Sequence, residues 1–331
     1  MIENYEVVSI VGNAKNAGKT TVLNAIVENY MNRVLAITSI GLDGEVLDNI
    51  SLLPKPRIFV HPGMIVATAE ECLKVCEAQF SIIADTDIQT SLGTIKIIHI
   101  TLAGYCLIGG PSTIKAMTRL IELLKSMNIY KILIDGAFSR KTLSKVTDAC
   151  LFAVGAVLSP NIDDVIKSAD LTIRQFGLPR ISKEYDYLEA KDNVTLIMES
   201  GNTIDLMIDS AITNMDMIFE SINNETRFIY LPGSLSQMFA KEYIRRRKSK
   251  LPSIILKSPT HIVLPDLIFS QLLQMQTKIY VLNTINLIGI AYNPFSPSGY
   301  CFDELEFRQK LINITDLPII NVMHESEERH E

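Results

Sequence analysis

The sequence predicts an α/β protein built on a parallel sheet with helices on both faces, followed by a second α/β domain. Three observations predict it. An apolar run over residues 7–11 meets a glycine-bearing loop and then a helical stretch over 22–27. Further short β-forming runs alternate with helical patterns along the chain, as βαβ units require. That alternation restarts near residue 184, which sets the expected domains at 1–182 and 183–331.

The first strand is Val7-Val8-Ser9-Ile10-Val11, and its neighbour is Gly12-Asn13-Ala14-Lys15-Asn16-Ala17-Gly18-Lys19-Thr20-Thr21. Strand, loop, Gly-Lys-Thr and helix make the context of a phosphate-binding loop, so the expected fold is that of a P-loop NTPase. Backbone N–H groups and the helix N-terminus aim positive charge at one spot. An anion there gains roughly 0.3–1 kcal/mol from the dipole, up to about 2 when partly buried. Lys19 adds a full charge for the β- and γ-phosphates, and Gly18 lets the backbone approach them. Thr20 offers Mg²⁺ a hydroxyl oxygen. Gly12, Asn13, Asn16, Ala17, Gly18, Lys19, Thr20 and Thr21 are the expected binding residues, and ATP or GTP with Mg²⁺ the expected ligands. Asn13 stands where the usual spacing has a glycine. Asparagine tolerates a left-handed backbone, so the loop is expected to close.

Composition bounds the rest. The chain has 331 residues, 47% of them hydrophobic, which is enough for a full core. A net charge of −6 gives no global pull toward nucleic acid or anionic membranes, so neither is an expected partner. Five cysteines in a long chain fit a reducing compartment. No basic n-region opens the chain and no apolar run approaches the roughly 18 residues of a membrane span. A cytoplasmic protein is expected.

Along the chain, the second strand (33–38) ends in Ser39-Ile40-Gly41-Leu42-Asp43-Gly44-Glu45. Ligands of open α/β sheets sit outside the carboxyl ends of strands. Asp43 is therefore a candidate Mg²⁺ ligand and catalytic residue, and Glu45 a candidate to orient an attacking group. A solvated turn explains the same residues. Residues 54–68 read as a hairpin turned at Pro62-Gly63, with His61 solvated or facing a ligand. Cys72 and Cys76, one turn apart, read as helix core. Strands follow at 82–84, 96–100 and 105–108, with Asp85-Thr86-Asp87 as a polar loop. Gly109-Gly110-Pro111-Ser112-Thr113 then opens a helix over 114–127, either simply capped or a second anion-friendly terminus.

Lys131-Ile132-Leu133-Ile134-Asp135 is the other strong signal. An apolar strand ending in aspartate carries its carboxylate to the sheet's carboxyl edge. Asp135 thus joins Thr20 and Asp43 as an expected metal residue, and joins Lys19 and Asp43 in the expected catalytic set. Arg140 follows in a loop, as a phosphate contact or a surface arginine. Another strand covers 151–158, and no Asn-Lys-x-Asp guanine reader follows it. In the second half, strands are expected at 194–198, 228–231, 253–256, 278–282 and 287–291. Arg245-Arg246-Arg247-Lys248 is a solvated helix end or a dock, and the turn-forming loop 293–300 contacts a ligand or a subunit or is a plain turn.

Taken together, the 12–21, 38–45, 134–140 and 293–300 segments resemble a bacterial P-loop family. Its members are found beside adenosylcobalamin-dependent lysine 5,6-aminomutase and named as a subunit of that enzyme's reactivase. The loop portion is also similar to the class that includes dethiobiotin synthetase and molybdopterin-guanine dinucleotide cofactor-handling proteins. The resemblance implies a chaperone-like NTPase whose γ-phosphate orders residues 39–49 and so remodels a partner, the aminomutase or a second reactivase subunit. The alternative is an ATP-dependent ligase or kinase acting on a small carboxylate. Its acceptor site would combine Gly109-Gly110-Pro111-Ser112 with Asp85 and Asp87.

Overall fold

A computed structural model describes residues 1–14, 17–40, 57–136, 146–212, 214–246, 251–275 and 277–321. The chain is mixed α/β and forms two compact units, Met1–Ala169 with Asn286–Glu331, and Asp170–Ile285. The sequence places a single boundary after residue 182. The chain instead returns to its first unit near residue 286.

In the first unit the strands are β1 (Val7–Gly12), β2 (Leu35–Ser39), β3 (Ile58–Val60), β4 (Ile65–Ala69), β5 (Gln79–Thr90), β6 (Gly93–Leu102), β7 (Gly104–Cys106), β8 (Lys131–Asp135) and β9 (Ala149–Gly155). The second unit holds β10 (Thr195–Met198), β11 (Thr203–Asp205), β12 (Thr226–Leu231), β13 (Leu235–Ser236), β14 (Ser253–Leu256), β15 (Ile262–Val263) and β16 (Ile279–Val281). β17 (Leu287–Asn293) and β18 (Ile319–Asn321) complete the first. The large sheet runs β18-β17-β9-β1-β8-β2-β4-β6-β5. From β18 to β4 every neighbouring pair is parallel, and β6 and β5 add an antiparallel margin.

Parallel strands covered on both faces read as continuous apolar runs. β1 obeys this, being buried at all six positions. Helix α1 (Lys19–Asn29) packs Val22, Leu23, Ile26 and Val27 inward, the spacing of one helical face. Each such side chain contributes about 1.5–3 kcal/mol on full burial. Helix α2 (Glu70–Leu73) is a single turn, and α3 (Ile114–Lys125) is capped by Thr113, whose side chain accepts from Ala116 N (3.3 Å). Among the described residues no helix is long and apolar enough to cross a membrane.

Four expectations change. Within the expected 54–68 hairpin, the described strands β3 and β4 do not pair with each other, although the turn between them exists: Gly63 has φ +88° and Met64 N donates to His61 O. Both edges of β4 are taken by β2 and β6, so β3 pairs with β7 instead. Asp85 and Asp87 are not in a loop. They lie within β5, where Asp85 pairs with Lys96 and Asp87 makes a bidentate pair with Arg119 at 2.8 and 2.9 Å. Cys76 lies beyond α2 rather than within a helix. The 287–291 strand joins the first sheet beside β9, not the second.

The second unit has a sheet ordered β11-β10-β12-β14-β16, with β12, β14 and β16 parallel. Its core gathers Leu196, Ile229, Leu231, Phe239, Ile254 and Phe269. Of the basic run, Arg245 and Arg246 both bond Glu242 and hold its carboxyl down at about 2. Arg247 and Lys248 lie outside the described residues.

Four hydrogen bonds fix how the 107–110 segment sits at the sheet's carboxyl edge. Ser39 Oγ donates to Ile108 O (2.9 Å) and accepts from Gly110 N (3.0 Å). Thr68 Oγ1 donates to Leu107 O (3.2 Å) and accepts from Gly109 N (2.9 Å). The 107–110 segment is thereby pinned across the ends of β2 and β4. A Cβ on Gly110 would fall inside the contact shell of Ser39 O, which is backbone and cannot swing away. Gly110→Ala is expected to destabilise the protein by about 1–3 kcal/mol through overpacking. Urea denaturation checks this, and an unchanged midpoint would contradict the close approach.

Candidate phosphate-binding site

The site is assembled where three neighbouring strands end. β1 lies between β8 and β9, all parallel, so Gly12, Asp135 and Gly155 reach the same edge. Ile10 and Ser39 are both register partners of Asp135. The 12–21 segment leaves this edge and turns into α1.

Glycines shape that turn. Gly18 is the N-cap of α1 with φ 98° and ψ 11°, a left-handed conformation that favours glycine. Its position is also crowded, because a Cβ would lie 3.1 Å from Asn293 Cβ. At Gly12 a Cβ would meet the Lys19 stem at 3.0 Å, so the lysine folds back over the loop it follows. At Gly155 a Cβ would lie 2.6 Å from Ala17 Cα. The loop is thus seated against the ends of β9 and β17.

Asn13 serves differently from the expectation. Among the described residues only Asn128 and Met207 combine a side chain with positive φ, so Asn13 is not left-handed. It is tied to β9 instead: its N–H donates to Ala153 O (3.1 Å) and its Oδ1 accepts from Gly155 N (3.3 Å). The side chain does by hydrogen bonding what a glycine would do by conformation.

The electrostatics converge on Lys19 and Asp135. The N-cap of α1, Gly18, brings no capping side chain, and no acidic residue occupies the helix's first turn. Its first N–H groups therefore lack intrahelical acceptors and present uncompensated positive charge. Asp135 is half-buried as a residue, but its Oδ1 is shielded from solvent and has no hydrogen-bond partner among the described residues. Burial pushes its carboxyl above the usual range, and the Lys19 charge pulls it partly back. Asn13 Nδ2, a donor, is likewise buried without a partner. Orphaned groups of this kind cost roughly 1–3 kcal/mol each. A donor and an acceptor left unpaired beside one cation and one helix N-terminus fit a ligand carrying both anionic oxygens and a metal.

Thr20 and Thr21 sit half-buried in the first turn of α1. Asn16, Asp43, Glu45 and Arg140 lie outside the described residues. The described residues contain no group of three or more His, Cys, Asp or Glu able to hold a metal. Mg²⁺ held with phosphate needs only one or two carboxylates, because waters and phosphate oxygens complete its shell. Thr20 and Asp135 match that donor set. A cavity of about 330 Å³ lies elsewhere, along the flank of α1 between Met1, Val22, Ile26 and Ile320.

Two contributors were not singled out from the sequence as site residues. Asn293 opens the 293–300 loop, for which the sequence offers a ligand contact, a subunit contact or a plain turn without marking this residue; it abuts Gly18, and Tyr300 Oη in that loop donates to Ala156 O (2.6 Å). Gly155 was read as one more residue of an apolar strand. Its position at the end of the buried β9 run, like that of Gly12 at the end of β1, is the signal that marks it. No family model matches the chain, and no curated protein or solved structure matches it.

Proposed function

We propose that this chain is a Mg²⁺-dependent P-loop NTPase using ATP or GTP. The observation that carries the reading is the unpartnered Asp135 Oδ1 beside Lys19 and the open N-terminus of α1, at the carboxyl edge of adjacent parallel strands. In this reading the backbone N–H groups around Gly18 and Lys19 grip the β- and γ-phosphates. Lys19 holds the charge that develops as the terminal phosphoryl departs. Thr20 and Asp135 are the residues that would hold Mg²⁺, with Asp43, which lies outside the described residues, as the further candidate from the sequence. The metal supplies neutralisation of the phosphate oxygens. Asn13 keeps the loop's curvature through β9.

The finer assignment rests on the resemblance. The chain is proposed as a reactivase subunit that uses hydrolysis to remodel an adenosylcobalamin-dependent aminomutase, alone or with a second reactivase subunit. The 39–49 segment, whose ordering by the γ-phosphate the resemblance implies, starts at Ser39, the register partner of Asp135; residues 41–49 lie outside the described residues. One observation favours a second reading, a ligase or kinase acting on a small carboxylate. The Gly109-Gly110 segment is pinned by Ser39 at the same edge, where an acceptor would lie. Asp85 and Asp87 drop out of that reading, because their carboxylates are paired with Lys96 and Arg119 on the outermost strand.

Titration calorimetry with Mg·ATP and Mg·GTP tests the shared premise. Saturable binding of at least one is expected, weakened by chelating the metal, and no heat from either refutes it. Phosphate release accelerated by purified aminomutase then supports remodelling. Fast release that needs a small carboxylate and ignores the aminomutase supports the ligase.

A further inference from the structure

The second feature lies away from the phosphate edge, where β7 is flanked on both sides. On one side it pairs with β3, Cys106 opposite Ile58. On the other runs the turn that follows α2. There Glu77 N donates to Tyr105 O (2.8 Å), and at Gly104 a Cβ would fall 2.5 Å from Ala78 N. The two backbones are therefore in direct contact, and their register sets Cys76 beside Cys106. The sulfurs are 2.6 Å apart, both as free thiols. Cys106 is buried and Cys76 is half-buried, so one sulfur is open to a reagent and the other waits behind it.

We propose that Cys76 and Cys106 form a reversible dithiol–disulfide pair, oxidised by a small-molecule disulfide and reset by thiols. The exchange balances in two steps. The Cys76 thiolate attacks one sulfur of the oxidant RSSR, forming a mixed disulfide and releasing one RS⁻, which takes up the proton Cys76 gave up. Cys106 loses its proton and attacks Cys76 Sγ, forming the protein disulfide and expelling the second thiol. Two protein thiols are oxidised and one RSSR is reduced to two RSH. The mixed disulfide resolves within the chain, because the resolving sulfur already lies in contact. Burial and the neighbouring Cys76 keep the Cys106 thiol well above its ordinary range, with Glu77 adding to the effect. The buried partner is thus inert to external reagents until Cys76 has reacted.

The bond would tie the turn after α2 to β7, which leads directly into the 107–110 segment pinned on Ser39 and Thr68. It would join points 30 residues apart in sequence. Such closure restricts the unfolded chain more than the folded one, so the oxidised form should melt at higher temperature.

The test uses the full chain equilibrated in glutathione buffers of graded oxidised-to-reduced ratio, quenched in acid, alkylated and mapped by mass spectrometry. The expected result is one crosslinked peptide pair, Cys76 with Cys106, lighter by two hydrogens and lost again on reduction. Cys72 and Cys150, both buried, should alkylate only after unfolding throughout. The oxidised protein should show a raised melting temperature that Cys76→Ser abolishes while leaving the reduced melting temperature unchanged. Cys76→Ser changes a half-buried atom, so it keeps the test available if Cys106→Ser does not fold. Glutathione retained on Cys76 with Cys106 still a thiol, or both thiols surviving the most oxidising buffer, would overturn the proposal.

Discussion

Lys19→Ala is expected to lower affinity for Mg·nucleotide and the rate of phosphate release by about 10²–10³-fold each, with the fold intact. The size follows from the charge. A unit charge about 4 Å from a phosphate oxygen at an effective dielectric near 20 is worth roughly 4 kcal/mol. Removing one preorganised stabiliser from an active site typically costs about 2.7–4 kcal/mol. The fold should tolerate the change, because Lys19 lies in the first turn of α1 and is not one of that helix's buried positions. Lys19→Gln separates the two roles of the side chain. It keeps most of the stem that packs over Gly12 and loses only the charge, so its loss should match that of alanine. Calorimetry and phosphate release on both variants check this. Wild-type binding in Lys19→Ala would remove the lysine from the site.

Asp135→Asn is expected to act in opposite directions on stability and on function. The Asp135 carboxyl titrates above its ordinary value of 3.8 because burial disfavours its charge, against the smaller pull of Lys19. A carboxyl raised on folding binds more protons folded than unfolded. Wild-type stability contributed by this group is therefore complete below about 3.8 and falls as pH rises through the folded-state value. Asparagine carries no charge to bury, so the variant escapes that loss. Without ligand, Asp135→Asn should match wild type in acid and exceed it in stability at neutral pH. With Mg·nucleotide the order reverses. Ligand at about 100 times its dissociation constant stabilises the protein it binds by about 2.7 kcal/mol, and the variant has lost the metal's carboxylate. Thermal melts across pH, with and without Mg·nucleotide, give all four quantities. A variant less stable than wild type at neutral pH without ligand would show that the carboxylate is structurally paired, contrary to its orphaned Oδ1.

These two residues were legible in the sequence because each signal is local. Gly-Lys-Thr at a helix start fixes Lys19 over the loop by helical geometry, and an apolar run ending in aspartate delivers Asp135 to a strand's end. Both elements form where the pattern places them, α1 from Lys19 and β8 to Asp135. Asn13 was legible as a departure but not in its effect. The compensation comes from β9, some 140 residues away, through the Gly155 N–H. Asp85 and Asp87 show the opposite failure. Two aspartates around a threonine look like a loop, yet pairing with Lys96 and Arg119 on neighbouring elements lets them lie in a strand.

By itself the sequence determined the buried strands β1, β2 and β8 and the helices α1 and α3, and which side chains stand where β1 gives way to α1 and where β8 ends. Hydrophobic period and turn chemistry act over a few residues, so the local pattern suffices for both. Only the tertiary structure decided which strands became neighbours. It returned β17 to the first sheet, gave β3 to β7 instead of β4, and brought Asn293 against Gly18 and Cys76 against Cys106. Every buried β-strand presents the same hydrogen-bonding edge and a similar apolar surface, so strand choice is settled by packing across the whole core, which no local run of residues encodes.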